Sequence, residues 1–143
     1  MTDTIPETAR LTADVVCVAD RDGVPHVLLI RRRWNPYEGM WALPGGHVDT
    51  GETVQETATR ELAEETGIHT SAMVLVGVYS TPGRDPRGRY VTWAYVARLD
   101  TTPEPTAGDD ARAAQWTPLP EALASILAFD HNTILANAAA HLT

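Results

Sequence analysis

Between Gly46 and Ile68 the chain reads G-H-V-D-T-G-E-T-V-Q-E-T-A-T-R-E-L-A-E-E-T-G-I, and the cluster Arg60-Glu61-Leu62-Ala63-Glu64-Glu65 lies near its end. On a helix, Glu61, Glu64 and Glu65 stand at i, i+3 and i+4, so three carboxylates share one side. Like charges at this spacing repel by roughly a few tenths of a kcal/mol per pair. A hard divalent cation that takes oxygen ligands, as Mg²⁺ does, relieves that repulsion. The spacing therefore points to a metal site; the plain alternative is a solvated acidic face.

At about 100° per residue, Val54, Ala58 and Leu62 form one apolar stripe, with Glu61 and Glu65 along its edge and Glu64 just beyond. Acids that flank a buried face are partly desolvated. Desolvation strengthens cation binding and raises the pKa of a carboxyl left without a cation nearby. Thr53 followed by Glu56 predicts a capping box at the helix start, and Gly67 sits where a left-handed residue would end it.

Upstream, Leu43-Pro44-Gly45-Gly46 sets two glycines where the backbone can approach an ion or ligand closely. Taken together, the pattern G-x5-E-x7-R-E-L-x-E-E-x-G-I resembles the signature of the Nudix hydrolase family, with every fixed position filled. The resemblance implies a loop and helix that hold Mg²⁺ or Mn²⁺ against a pyrophosphate while water attacks phosphorus. It makes Glu61, Glu64 and Glu65 the metal ligands, and it puts Glu61 or Glu65 close to the attacking water. Arg60 would orient these acids by ion pairing, with Glu52 as its partner, and the carbonyl of Gly45 or Gly46 is a further ligand. Metal ions neutralise phosphate oxygens, template displacement and lower the pKa of bound water, so the charges suit the chemistry.

At 143 residues the chain suits one domain, expected to run over residues 1–143. A hydrophobic content of 43% with 21% charged residues is that of a soluble globule, and the longest apolar runs are too short to cross a bilayer. The first residues, Met-Thr-Asp-Thr-Ile-Pro-Glu-Thr, lack the pattern of a signal peptide. One cysteine, Cys17, excludes an internal disulfide, and a cytoplasmic home is expected. A formal charge of −8 argues against a nucleic-acid partner, which calls for a basic patch. It leaves room for a small nucleotide brought in with its cation.

Strands are expected at Leu11 to Ala19 and Val24 to Ile30, joined by the turn Asp20-Arg21-Asp22-Gly23, and at Trp41 to Leu43. Further strands are expected at Ala72 to Ser80, Tyr90 to Leu99 and Gln115 to Thr117, and helices at Pro120 to Leu127 and Asn132 to Leu142. Mixed strands around an internal helix and closed by a terminal one fit a sheet covered on both faces. The expected class is α+β, the α/β/α sandwich with a central mixed β-sheet that the family resemblance also implies.

Between two strands lies Thr81-Pro82-Gly83-Arg84-Asp85-Pro86-Arg87-Gly88-Arg89, either a solvated turn or a set of phosphate-binding arginines. With Ala107 to Ala111 and Ala128-Phe129-Asp130-His131, this run is similar to the Nudix branch that contains ADP-ribose pyrophosphatases. That branch often uses a loop acid as base or extra ligand; Asp109 and Asp110 are the candidates here, with Glu104 beside them, and an exposed turn is the plain reading. Trp34, Tyr37, Trp41, Tyr79 and Trp93 could stack on adenine or serve as core and dimer contacts. Substrate contacts are assigned to Arg84, Arg87, His47, Glu52 and Trp41, and no histidine is given a metal role.

These readings converge on a metal-dependent pyrophosphohydrolase acting on ADP-ribose or a related nucleoside diphosphate derivative. An oxidised nucleoside triphosphate is the runner-up substrate. A nucleotide-sensing domain without catalysis is the rival, disfavoured because all the acids of the signature are kept and no residues follow for a DNA-binding module. Members of the fold often pair, so a homodimer through the N-terminal strand or exposed tryptophans is also expected.

Overall fold

The computed structural model describes residues 5–142; the reading of Met1 to Thr4 as free of a leader lies outside them. Strand β1 (Arg10–Arg21) and β2 (Val24–Arg32) form a hairpin. Its two turn residues, Asp22 and Gly23, both take positive φ, as a type I′ turn requires. The chain continues through β3 (Trp41–Ala42), β4 (Gly45–His47), α1 (Val54–Thr66), β5 (Met73–Tyr79), β6 (Tyr90–Arg98), β7 (Ala111–Pro118), α2 (Leu119–Ala124) and α3 (His131–Ala140).

The sheet runs β3-β2-β1-β6-β5, with β7 on the other edge of β2 and β4 on β1. Among the described residues only β1 and β6 pair in parallel, from Arg10 beside Tyr90 to Val18 beside Arg98, so the sheet is mixed. Along the edge opposite β6, β1 changes partner. Val18 to Arg21 pair with β2, whereas Thr12 to Asp14 pair with β4. Over the same span β2 leaves β1 and pairs through Ile30 and Arg31 with β3. The two central strands thus fork, and short β3 and β4 line the opening.

Alternation along the strands splits the core into two layers. Val16, Val18, Val27, Leu29, Ala94 and Val96 pack on the side of α2 and α3, against Leu119, Ala122, Ile134, Leu135 and Ala138. Val15, Cys17, Leu28, Tyr95 and Ala97 face the other way, against Ala58 and Leu62 of α1. Strands buried on both faces read as unbroken apolar runs, which is why Val15-Val16-Cys17-Val18 shows no alternation.

Beyond shifts of one or two residues at element ends, such as Asp20 and Arg21 joining β1 instead of the turn, larger differences from the sequence expectations occur at β4, β7 and α2. Gly45–His47 is a strand, because its backbone pairs with β1 despite two glycines. Strand β7 is longer than Gln115 to Thr117; its alanines carry little strand propensity and are held by pairing with β2. Helix α2 stops at Ala124 rather than Leu127, since the Leu127 N–H is taken by the Asn132 side chain at 2.8 Å in the turn into α3. Among the described residues no helix is long and apolar enough to cross a membrane.

Candidate active site

Helix α1 begins and ends as its sequence dictates. Thr53 accepts from the Glu56 N–H while the Glu56 carboxylate accepts from the Thr53 N–H, and Gly67 closes the helix at φ 74°. Thr57, Ala58, Leu62, Glu65 and Thr66 form its buried stripe, so helical phase alone drives Glu65 inward. The Glu65 residue is 3% exposed, the Glu61 side chain 12% and the Glu64 side chain 40%, a gradient that decides their surroundings.

Arg60 gathers the acids on the outer side. Its Nε donates to Glu52 Oε2 at 2.7 Å, Nη1 to Glu61 Oε1 at 2.8 Å and to Glu64 Oε2 at 3.0 Å, and Nη2 to Glu52 Oε1 and the His47 carbonyl at 3.0 Å. The guanidinium holds Glu52 down to about 2, while Arg60 itself is raised. Glu65 turns away from this hub and accepts from the Gly45 N–H at 2.7 Å.

The three glutamates therefore do not meet at one point, as their shared helix side had suggested. Arg60 stands between Glu61 and Glu64, and strand β4 claims Glu65. Among the described residues no three acidic, histidine or cysteine side chains converge as a ready-made cage. The donor set nevertheless fits a hard cation. Burial pushes Glu61 up to about 7 against the pull of Arg60, and it pushes Glu65 well above the usual carboxylate range, so negative charge at both is costly until a cation arrives.

Glycines set the distance between strand and helix. A Cβ on Gly46 would lie 2.5 Å from the Glu61 carboxyl carbon, and one on Gly45 would run into the Ala13 carbonyl and Asp14. Both glycines line a cleft that opens at the fork between β1 and β2, together with Asp14, Arg32, His47, Glu65, Arg84, Arg87 and Asp110.

Arg84 and Arg87 of the 81–89 loop line this cleft, each held by an acid, whereas Arg89 pairs with Glu7. Arg84 Nε and Nη2 donate to Asp130 at 2.9 and 2.6 Å, and Arg87 Nε and Nη2 to Asp85 at 3.1 and 2.8 Å. Arg87 also lies over Tyr90 at 4.7 Å and over Phe129 at 5.8 Å. In both guanidiniums the bonds to the acid run through Nε and Nη2, which leaves Nη1 outside the ion pair.

Other expected site residues separate clearly. Asp110 lines the cleft and raises both Glu61 and Glu65 by its charge, whereas Asp109 sits in a turn at φ 50° and Glu104 is exposed elsewhere. His47 lines the cleft against the Tyr90 hydroxyl at 3.2 Å, its pKa lowered by burial. Trp41 is half-buried against the core and is not among the residues lining the cleft, its carbonyl accepting from the Ala128 N–H. Glu52 likewise serves Arg60 and the Asp49 and Thr57 contacts, away from the cleft wall.

Sequence reading missed Asp14 and His131. Asp14 accepts from the Thr92 hydroxyl at 2.6 Å and lies 3.7 Å from His131 Nε2, whose Nδ1 accepts from the Leu43 N–H. That bond requires an unprotonated Nδ1, in keeping with the burial that lowers this imidazole's pKa. Asp14 belongs to no local motif and His131 enters the sequence reading only as the end of the 128–131 run, with no site role; strand pairing and the α3 start bring them together.

The model of the NUDIX domain matches residues 8–138. The chain belongs to the NUDIX domain family. Its layers are the NUDIX fold, α+β with a mixed central sheet, and NUDIX hydrolases generally use divalent metals. It is 46% identical over 113 residues to the ADP-ribose pyrophosphatase of Methanocaldococcus jannaschii, covering 76% of this chain and 63% of that protein. To the ADPR responsive transcriptional repressor NtrR of Acinetobacter baylyi it is 34% identical over 134 residues, covering 92% and 54%. The NUDIX domain of Shewanella oneidensis NrtR, solved complexed with ADP ribose, superposes at TM-score 0.89 with 31% identity, over 96% of this chain and 90% of that one. The chain thus spans less than two thirds of the length of these two curated relatives.

Burial of Glu61 gives the NUDIX helix a pH signature when metal is withheld. A carboxyl raised from 4.5 to about 7 contributes stability below its unfolded pKa and loses it as pH rises through 7, about 3 kcal/mol in all. Glu61→Gln removes that loss. In EDTA, the melting temperature of the variant minus that of wild type should grow between pH 5 and pH 8; a constant difference would count against the burial of charge.

Proposed function

We propose that this chain hydrolyses the diphosphate of ADP-ribose to AMP and ribose 5-phosphate, with Mg²⁺ as its metal and Mn²⁺ able to replace it. The observation that carries the reading is one cleft wall bearing the buried Glu65 carboxyl beside Gly45 and Gly46, faced by the two acid-anchored arginines Arg84 and Arg87. Anion-binding groups and a cation-hungry carboxyl in one opening suit a metal-bound diphosphate. Identity to an ADP-ribose pyrophosphatase supports the choice of substrate. The formal charge of −8 supports a small nucleotide over nucleic acid as partner.

Glu61 and Glu65 would hold the cation, with Glu64 and a carbonyl of Gly45 or Gly46 completing the set. When bound, the divalent ion neutralises phosphate oxygens and lowers the pKa of its water. The free Nη1 edges of Arg84 and Arg87 orient the diphosphate, and Asp85 and Asp130 keep both guanidiniums from swinging. Arg60 fixes the helix acids through its fork, a geometry that lysine cannot reproduce. A carboxylate within hydrogen-bond reach would take the proton of the attacking water, either Glu61 or Glu65 on the helix or Asp110 at the rim.

Product analysis tests the reading. Incubation with ADP-ribose and Mg²⁺ should release AMP and ribose 5-phosphate, and EDTA should stop it. Release of pyrophosphate from an oxidised nucleoside triphosphate, with ADP-ribose untouched, would move the assignment to the triphosphate substrate. A second reading, a sensor that binds without cutting, is favoured by the Arg60 guanidinium between Glu61 and Glu64 and by the likeness to the repressor. ADP-ribose bound with no product over hours would select it.

A cytoplasmic location and a homodimer belong to the same proposal. Cys17 is a buried free thiol pushed up to about 12, and Val74 and Val78 are exposed on the outer strand β5. Light scattering on the purified protein checks the dimer.

A further inference from the structure

Trp34 is 59% exposed and still lines the cleft that holds Glu65, Gly46 and Arg87. The other aromatic residues nearby are committed. Tyr37 stands edge-on to Phe129 at 4.7 Å, and Arg32 and Arg87 lie over the Phe129 ring. Trp116 is buried with Nε1 donating to the Pro103 carbonyl, while Trp41 and Trp93 pack against the two core layers. Among the described residues Trp34 makes no ring or guanidinium stack.

Its turn is nevertheless firmly held. The Arg33 N–H donates to the Asp110 carbonyl at 3.1 Å and Arg33 Nη2 to the Ala111 carbonyl at 3.3 Å. Arg32 Nε donates to the Pro36 carbonyl at 2.7 Å, and the Gly39 N–H to the Arg32 carbonyl at 2.8 Å. An indole offers on the order of 150–250 Å² of largely apolar surface when covered. Presented on a pinned turn, in a cleft whose other walls carry acids and arginines, that surface suits a flat uncharged ring attached to a charged ligand.

We propose that Trp34 is the stacking platform for the purine ring of the nucleotide, and so the residue that separates base-bearing diphosphates from base-free ones. The inference rests on the reading of the cleft as a nucleoside diphosphate site. Stacking accepts any base with a π face, so it sets the demand for a base and leaves the choice of purine open.

The test compares wild type, Trp34→Phe and Trp34→Ala with Mg²⁺, using AMP and ribose 5-phosphate in calorimetric titrations and ADP-ribose in steady-state kinetics. Trp34→Ala should raise the Kd for AMP and the KM for ADP-ribose about ten-fold, with kcat little changed. Trp34→Phe should restore both to within about three-fold, and ribose 5-phosphate should bind all three proteins equally. Quenching of tryptophan fluorescence by AMP should disappear with either substitution. AMP binding to Trp34→Ala within about two-fold of wild type would overturn the proposal, as would an equal loss of ribose 5-phosphate affinity. Wild-type protein that neither binds nor cuts any of the three ligands would overturn the reading of the cleft, and this inference with it.

Discussion

Glu65→Gln is expected to cut turnover of ADP-ribose by about 10²–10⁴-fold, the usual worth of a positioned carboxylate, and to leave the fold intact. The substitution keeps shape and volume, and its carbonyl oxygen can still accept from the Gly45 N–H. What disappears is the negative charge, at the residue where burial makes that charge most costly without a cation. Because an uncharged amide relieves that cost, the metal-free variant should melt no lower than wild type. Glu61→Gln should behave alike, with its amide oxygen still available to Arg60. Near-normal metal-dependent turnover in both variants, measured as AMP released, would refute the mechanism.

Two adjacent glycines should fail in opposite ways when changed to alanine. At Gly45 the new methyl meets the Ala13 carbonyl and the Asp14 Cα, which belong to the centre of β1 and cannot move aside. Overpacking of this sort costs about 1–3 kcal/mol or more, so Gly45→Ala should lower the melting temperature by several degrees. At Gly46 the methyl meets only the end of the Glu61 side chain, which can swing. Gly46→Ala should therefore melt near wild type while losing activity, since the displaced carboxyl leaves Arg60 and the proposed metal position. Calorimetry and kinetics on the pair read the contrast, and a Gly46→Ala protein with full activity would deny Glu61 its place.

Much of this was legible in the sequence because it is local. The capping box, the left-handed end at Gly67 and the buried phase of Glu65 all follow from spacing within one helix. Helical phase did not reveal how Glu61, Glu64 and Glu65 would divide between Arg60 and Gly45, since strand β4 draws one of them away. Asp14 and His131 stand 117 positions apart and meet only through tertiary packing, so no local spacing signals their pairing. The packing of Trp41 was hidden for a related reason. An aromatic just before the glycines looks like a ligand wall, yet its strand partner Arg31 and the Ala128 N–H turn it into the core. Arg84 and Arg87 were read from their loop between two strands and from the family resemblance, and the acids that anchor them were not assigned that task.

The parting of β1 from β2 separates the cleft wall built by α1 and β4 from the connectors at its rim. Residues 33–39 and 81–89 hang at the rim as connectors, while α1 and β4 are built into the sheet. Exchange of either connector for one of another length or composition should retune ligand choice and spare the reaction beneath it. The architecture works as a common chassis with replaceable jaws.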